Sequence, residues 1–128
     1  MTGRQRVAGG APWEAEVGYS RAIRVGGRVL VAGTTAVDAA GDPLAAGAYE
    51  QTLAAFEIAL RAVEAAGGRR EGVVRTRMYV VDITANAEAV GRAHHEAVGA
   101  AQPVATMVGV AALIDPRLLV EVELEAVI

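Results

Sequence analysis

The last strand-like segment of the chain, Leu118 to Val127, constrains the fold most. Its apolar and acidic residues alternate without a break, with Val120, Val122 and Leu124 interleaved with Glu121, Glu123 and Glu125. A period of two is that of a β-strand with one buried face. We therefore expect a sheet with one packed face, and a second face that meets either water or another subunit.

Helical periodicity marks two other segments. Between Tyr49 and Ala66, apolar residues recur at spacings of three and four and line one helix face: Leu53, Phe56, Leu60 and Val63. The Gly67-Gly68 pair that follows is a typical helix end. A second helix is predicted from Ala85 to Gly99.

The remaining segments have the composition of strands. Gly26-Gly27 indicates a hairpin turn between two of them. The predicted strands upstream of the last one are a short one around Arg6 to Ala8, then Ser20 to Val25, Arg28 to Ala32, Val73 to Asp82 and Val104 to Ala112. The order β-β-β-α-β-α-β-β packs most simply as one α+β domain over residues 1–128, with a mixed sheet and both helices on one face.

The strand from Val73 to Asp82 carries a short basic ladder. We expect its packed face to hold Val74, Thr76, Met78 and Val80, and its other face to hold Arg75, Arg77 and Tyr79. Strand order decides whether the two arginines face the three glutamates of the last strand. If they do, cross-strand pairs neutralise the charges, and otherwise the face is solvated.

The composition indicates hidden apolar surface. Hydrophobic residues make up 53% of the 128 residues, charged residues 21%, and the mean hydropathy is +0.33. A small domain has much surface to keep wet, so this balance favours burial of apolar surface between subunits.

Composition also excludes several classes of protein. The absence of cysteine removes disulfide scaffolds and thiolate metal sites, and the absence of lysine removes Schiff-base chemistry. A net charge of −3 and a pI near 5.4 give no basic field for nucleic acid. The N-terminus has no apolar signal-peptide core, and the uncharged stretch from Ala97 to Ile114 contains turn residues, so we expect a cytoplasmic protein that does not enter a membrane.

Few side chains offer chemistry. Glu121 is the carboxylate best placed to act as a general base if the open sheet face forms a pocket, although an ion pair with arginine is the alternative. Thr34 offers a hydroxyl after a strand, or simply a turn contact. His94 either borders a pocket as a proton donor or lies on the surface, and with His95 it lacks the i, i+4 spacing of a metal pair, so no metal site is predicted.

Several ordered pieces, from about Val17 to the C-terminus, resemble the Rid family (YjgF, reactive intermediate deaminases). They are Val17-Gly18-Tyr19-Ser20 with Ala22 to Gly26, Val29 to Gly33, Gln51-Thr52 with Leu60 and Val63 to Gly67, Val73 to Thr76 with Val80 to Asp82, Pro103 to Val108, and Leu118 to Glu123. Their order and spacing carry the resemblance, since no single piece is specific.

The resemblance implies a chorismate-mutase-like fold and a homotrimer whose sheets enclose a barrel, with ligand pockets at the subunit interfaces. In the deaminase branch an arginine grips the substrate carboxylate, and water hydrolyses an imine without metal or organic cofactor. The family's pocket tyrosine maps onto Tyr19 and its glutamate onto Glu121. The residue after the arginine maps onto Thr106.

The chain departs from that pattern at the anchor itself. The family's arginine position is Ala105, its strand-end serine position is Ala32, and its helix asparagine position is Gly91. A pocket with Ala105, Thr106 and Met107 is less cationic and suits a neutral or amine-bearing ligand. A replacement cation remains open among three arginines: Arg21, Arg92 and Arg117.

Three functions follow. The first is a hydrolase or deaminase-like enzyme for an imine, enamine or related small substrate that is not a simple 2-iminoacid. The second is a non-catalytic module that binds a small molecule or a protein. RNA cleavage, an activity sometimes attributed to the family, is disfavoured by the acidic pI and the scarcity of aromatic residues.

Overall fold

The computed structural model describes residues 3–128, which form one six-stranded sheet and three helices. The strands are β1 (Gln5–Val7), β2 (Ala22–Val25), β3 (Arg28–Thr34), β4 (Val73–Val81), β5 (Val104–Val110) and β6 (Val120–Val127). The helices are α1 (Glu14–Val17), α2 (Ala48–Ala65) and α3 (Ile83–Val98), and single 3-10 turns cover Arg70–Gly72 and Gly99–Ala101.

The sheet is mixed, as predicted. Its strand order is β1-β2-β3-β6-β4-β5, in which β4 and β5 are parallel and the other neighbours antiparallel. This order places the C-terminal strand β6 in the middle of the sheet and β5 at an edge. The predicted α+β architecture is confirmed.

The core lies between the sheet and the long helices α2 and α3. Phe56 and Val63 of α2 are fully buried, as are Val120 and Val122 of β6. The glutamates that alternate with them therefore project from the opposite, open face of the sheet. Within residues 3–128, no helix combines the length and the apolar character needed to cross a membrane.

Helix α1 was not predicted. It is one turn long and ends at Gly18, whose φ of 90° lies in the left-handed region that glycine tolerates best. Four residues are too few to display helical periodicity, so the sequence pattern gave no sign of it.

Two bulges shift residues away from their predicted faces. In β4 the register against β6 changes between Val73 and Arg75, so Val73 is buried and Val74 is exposed, contrary to the expectation that Val74 packs in the core. In β3 the register changes between Val31 and Thr34, and the strand runs two residues beyond its predicted end at Ala32. A bulge adds one residue to one strand and so reverses the alternation beyond it.

Candidate functional site

The acidic ladder of β6 faces the basic ladder of β4, but one glutamate has no cation opposite. Glu123 is paired in register with Arg77, and their side chains form an ion pair of 3.8 Å. Glu121 is instead paired with Tyr79, whose hydroxyl donates a hydrogen bond to Glu123. Glu121 therefore has no arginine opposite it on β4, unlike Glu123, and this distinguishes its carboxylate from the rest of the ladder.

Glu121 lines a cavity of about 520 Å³ beside the bulged end of β3. The N-terminal segment, residues 9–17, forms another wall of it. The polar and aromatic residues at this cavity are Trp13, Glu14, Tyr19, Arg21, Thr35, Asp38 and Glu121. A volume of this size suits a small molecule and is too small for a folded macromolecular segment.

The environment of Glu121 favours its protonated form. Partial burial raises the pKa of this carboxyl, the positive charge of Arg21 opposes the shift, and the negative charge of Glu123 adds to it. A raised pKa makes the carboxylate a stronger base than an exposed glutamate. Glu121 is therefore suited to general acid–base chemistry.

Tyr19 provides a hydroxyl at the same cavity. Burial is the largest cause of its raised pKa, and Arg21 acts against that shift. The phenol stays protonated at neutral pH and can donate a hydrogen bond to a ligand. The guanidinium carbon of Arg21 lies 5.5 Å from the centroid of the Tyr19 ring, within range of a cation–π contact.

Arg21 is buried against this cavity, with only 5% of its surface exposed. Its Nη1 donates to Thr34 Oγ1 at 3.0 Å, and Thr34 Oγ1 in turn donates to the carbonyl of Ala32 at 2.8 Å. Its Nε lies 3.9 Å from Glu14 Oε2. A buried guanidinium is tolerated when a carboxylate neutralises it and hydrogen bonds satisfy its donors. Arg21 has one side-chain hydrogen bond and one carboxylate at 3.9 Å, so neither requirement is fully met.

The comparisons with known proteins identify the family and the fold. The family described as endoribonuclease L-PSP matches residues 10–128. The crystal structure of Rv2704 from Mycobacterium tuberculosis, a member of the YjgF/YER057c/UK114 family, is 42% identical, with a TM-score of 0.89 over 98% of this chain and 100% of that one. This chain belongs to the YjgF/Rid family.

Two further relatives of this YjgF/Rid protein differ in sequence identity, so one supports the family and the other supports the fold alone. A protein of Streptomyces coelicolor described as uncharacterised is 43% identical over 95% of this chain and 90% of its own. YyfA of Yersinia pestis, described as a Rid protein of unknown function, is 23% identical with a TM-score of 0.85, and covers 98% of this chain and 100% of its own. At that identity the likeness concerns the fold alone.

Of the predicted site residues, the structure brings Tyr19 and Glu121 together at the cavity. Thr34 does not line it, because its fully buried hydroxyl is committed to Arg21 and to Ala32, while the neighbouring Thr35 does. Thr34 therefore affects the cavity only by holding the guanidinium of Arg21 through a hydrogen bond. The bulge in β3 is the physical reason, since it exchanges the directions of adjacent side chains.

His94 lies away from Glu121, on the side of the sheet that the helices cover. Its Nε2 is 2.8 Å from the hydroxyl of Thr76, and its ring meets that of Phe56 edge to face at 5.5 Å. Burial lowers its pKa, and the nearby His95 lowers it further. Within one chain, His94 is a half-buried histidine that packs against Phe56 and does not line the pocket.

The predicted residues of β5 also lie outside the cavity of their own chain. Ala105 and Thr106 pair with Thr76 and Arg77, two strands away from β6, and Met107 packs against the core. Since β5 is an edge strand, these residues can reach a cavity of this kind only in another subunit. Among residues 3–128, no three His, Asp or Glu side chains cluster as they would around a metal ion.

The three arginines left open by the sequence have different surroundings. Arg92 stacks over Tyr49 at 4.6 Å on the surface of α3, and Arg117 is held by Asp115 at 2.8 Å and is exposed. Arg21 is the basic residue among those that line the Glu121 cavity in the described part of the chain. The sequence did not predict a role for Glu14, because no local pattern shows that the one-turn helix α1 brings Glu14 within 3.9 Å of Arg21.

Proposed function

We propose that this protein is a cofactor-free hydrolase that adds water across the C=N bond of a small imine, or of the imine tautomer of an enamine. The observation that carries the proposal is Glu121, a half-buried carboxylate with a raised pKa that faces a small-molecule cavity beside the hydroxyl of Tyr19. Membership of the YjgF/Rid family supports the reaction class, because the family resemblance implies imine hydrolysis.

The reaction needs one proton carrier and one water molecule. The imine enters protonated on nitrogen, and Glu121 accepts a proton from water as the water oxygen bonds to the imine carbon, which gives a neutral carbinolamine. Glu121 then passes that proton to the carbinolamine nitrogen and takes up the hydroxyl proton as the C–N bond breaks and the C=O bond forms. Ammonia leaves and carries this last proton away as ammonium, which returns Glu121 to its carboxylate form. Water is the only co-reactant, so the chemistry balances without a metal or an organic cofactor.

A trimer completes the proposed site. The resemblance implies pockets between subunits, and Thr106 and Ala105 of β5 then face the cavity of a neighbouring chain. The exposed apolar side chains of this edge strand support an interface there, with Val104 60% and Val108 41% exposed. His94 has no part in the proposed reaction.

RNA cleavage is a weaker candidate despite the family description. The cavity is lined by three carboxylates, those of Glu14, Asp38 and Glu121, against the guanidinium of Arg21. Negative potential at the site opposes the approach of a phosphodiester backbone. We therefore expect a small-molecule ligand rather than a nucleic acid.

The test is ammonia release from freshly generated imines, both neutral and carboxylate-bearing. Glu121→Gln keeps the size of the side chain and removes the proton carrier, so turnover should fall by about 100-fold or more. The control is Glu125→Gln on the same strand, whose carboxylate pairs with Arg28 at 3.3 Å outside the cavity and whose loss should leave turnover within about threefold.

Two outcomes contradict the proposal. If Glu121→Gln hydrolyses imines at the wild-type rate, Glu121 is not the proton carrier. If small molecules bind in the cavity and are recovered unchanged by mass spectrometry from every imine class, the protein is the non-catalytic binding module instead.

A further inference from the structure

The buried guanidinium of Arg21 is only partly satisfied by the protein. Of its three nitrogens, Nη1 donates to Thr34, whereas Nε and Nη2 have no hydrogen-bond partner within residues 3–128. Buried polar groups in folded proteins are nearly always paired, and an unpaired charged donor is the more costly case. Two donors of a buried arginine at the wall of a cavity therefore call for an acceptor.

Glu14 does not meet this need, although it lies close by. Its Oε1 accepts the backbone N–H of Gly9 at 3.0 Å, and its Oε2 accepts that of Ala11 at 3.1 Å. Oε2 stands 3.9 Å from Arg21 Nε, which is an ion pair without a hydrogen bond. The carboxylate is thus committed to the N-terminal segment and leaves the guanidinium donors free.

The guanidinium is also held in place. A Cβ added at Gly9 would lie 2.8 Å from Arg21 Cγ and 2.8 Å from Glu14 Oε2, so backbone without a side chain packs directly on the arginine. On the other side Thr34 fixes Nη1, and Thr34 is itself tied to Ala32. Nε and Nη2 are themselves shielded from solvent in the free chain, so an acceptor reaches them only when the covering segment around Gly9 and Glu14 shifts. A guanidinium that Thr34 already holds in place is then suited to recognise a planar oxygen acceptor.

We propose that Arg21 is the ligand anchor of this cavity, and that it donates from Nε and Nη2 to an oxygen acceptor, a carboxylate or a carbonyl, of the small molecule bound beside Glu121. The anchor comes from the segment just before β2 rather than from the position of Ala105 on β5. This inference rests on the proposed function only in that it places the ligand in the same cavity.

The chemical class of the ligand follows from the two charged groups that would contact it, Arg21 and Glu121. Arg21 takes an oxygen acceptor, while Glu121 is the acidic group that a nitrogen-bearing part of the ligand can approach. A small molecule that carries an oxygen acceptor near an imine or amine nitrogen satisfies both. The three carboxylates around the cavity weaken its attraction for an anion, so ligands with a carboxylate and ligands with a neutral carbonyl have to be compared directly.

The experiment measures equilibrium binding of unreactive probes, benzoate and benzamide, to the full chain by isothermal titration calorimetry. The variants are Arg21→Gln and Arg21→Lys, and the matched control is Arg92→Gln, an exposed arginine on α3 outside the cavity. Circular dichroism melts establish that each variant is folded. Arg21→Lys keeps the charge, so it preserves the test if the uncharged variant does not fold.

We expect wild type and Arg92→Gln to bind a probe equally, Arg21→Gln to bind it at least about tenfold more weakly, and Arg21→Lys to lie between them because it lacks the planar fork. A response confined to benzoate identifies a carboxylate, and an equal response to benzamide identifies a neutral carbonyl. Wild-type binding of both probes by folded Arg21→Gln overturns the inference, as does the lack of any wild-type binding at about 10 mM.

The two proposals can fail separately. If Glu121→Gln loses turnover but Arg21→Gln binds the probes as well as wild type, Arg21 is not the ligand anchor and the hydrolase proposal stands. Probe binding that depends on Arg21 in a protein that hydrolyses no imine removes the hydrolase and leaves the anchor.

Discussion

The carboxylate of Glu121 occupies the space that a side chain at residue 33 would fill, so the absence of a Cβ at Gly33 is what allows it to sit at the cavity. Gly33 lies in the bulged part of β3, next to β6 in the sheet. A glycine here is required by the close approach of another residue, and its own backbone angles play no part.

Gly33→Ala should therefore push the Glu121 carboxylate aside, at a cost of up to about 1 kcal/mol because the group that must move is the end of a flexible side chain. Most of that cost should disappear in the Glu121→Ala background, because the group in conflict is then gone. Chemical denaturation of the four proteins of this cycle measures the coupling. The control is Gly91→Ala, where a Cβ meets open space in the middle of α3, and stability should rise by about 0.5–1 kcal/mol. Equal costs of Gly33→Ala in both backgrounds would contradict the assignment.

The raised pKa of Glu121 makes a prediction about stability and pH. A carboxyl whose folded pKa lies above its unfolded value binds its proton more tightly in the native state, so its contribution to stability falls as pH rises above about 4.3. Glu121→Gln should remove this loss and be the more stable protein at pH 7, by at most about 1 kcal/mol because solvent screens a half-buried group. Melting curves of both proteins between pH 4 and pH 8 check it. A wild type that is more stable than Glu121→Gln at pH 7 would show that Glu121 is held as a carboxylate.

His94 should also make the stability of the protein depend on pH, with a sign opposite to that of Glu121. Burial lowers its pKa in the folded state, so the unfolded chain binds the proton more tightly and stability is lost as pH falls below about 6.5. His94→Gln should flatten this acid slope of the melting temperature. The neighbouring exposed His95 provides the control, since His95→Gln should retain the slope. An unchanged slope in His94→Gln would place the titrating group elsewhere.

Gln51 should be among the most sensitive polar residues of the chain. Its buried amide donates to the carbonyls of Ala45 and Arg117, each at 3.0 Å, and accepts the N–H of Leu119 at 2.8 Å. Gln51→Ala leaves three backbone groups without a partner and should cost about 3 kcal/mol in urea denaturation. Gln5→Ala, which removes one exposed bond of 3.2 Å to Ala65, should cost less than about 0.5 kcal/mol. A small effect at Gln51 would mean that water replaces its contacts.

The proposed trimer is checked by sedimentation velocity at micromolar concentration. Wild type should sediment as a trimer, and Val108→Glu, which places a charge on the exposed face of edge strand β5, should shift it to monomer. Leu44→Glu changes an equally apolar residue, 54% exposed, outside the strands, and should leave the trimer intact. A wild-type monomer at these concentrations would remove the site contribution of Ala105, Thr106 and Met107.

Much of the fold follows from local sequence pattern. The alternation along β6 predicts a strand with one acidic face, and the spacing of Phe56 and Val63 predicts helix α2 to within one residue at each end. The resemblance of short ordered motifs predicted the family. These features repeat over many residues, so the hydrophobic effect fixes them without reference to distant parts of the chain.

The site depended on features that no local pattern contains. The sequence alone determined that Glu121 lies on a strand and that three arginines were candidates for a replacement cation. Only the tertiary structure decided that, of these arginines, Arg21 lies at the cavity and that Thr34 accepts a hydrogen bond from it. It also decided that His94 packs on the other side of the sheet. The physical reason is that strand order, two bulges and a one-turn helix are set by long-range packing, whereas sequence periodicity reports only which face of its own element a residue occupies.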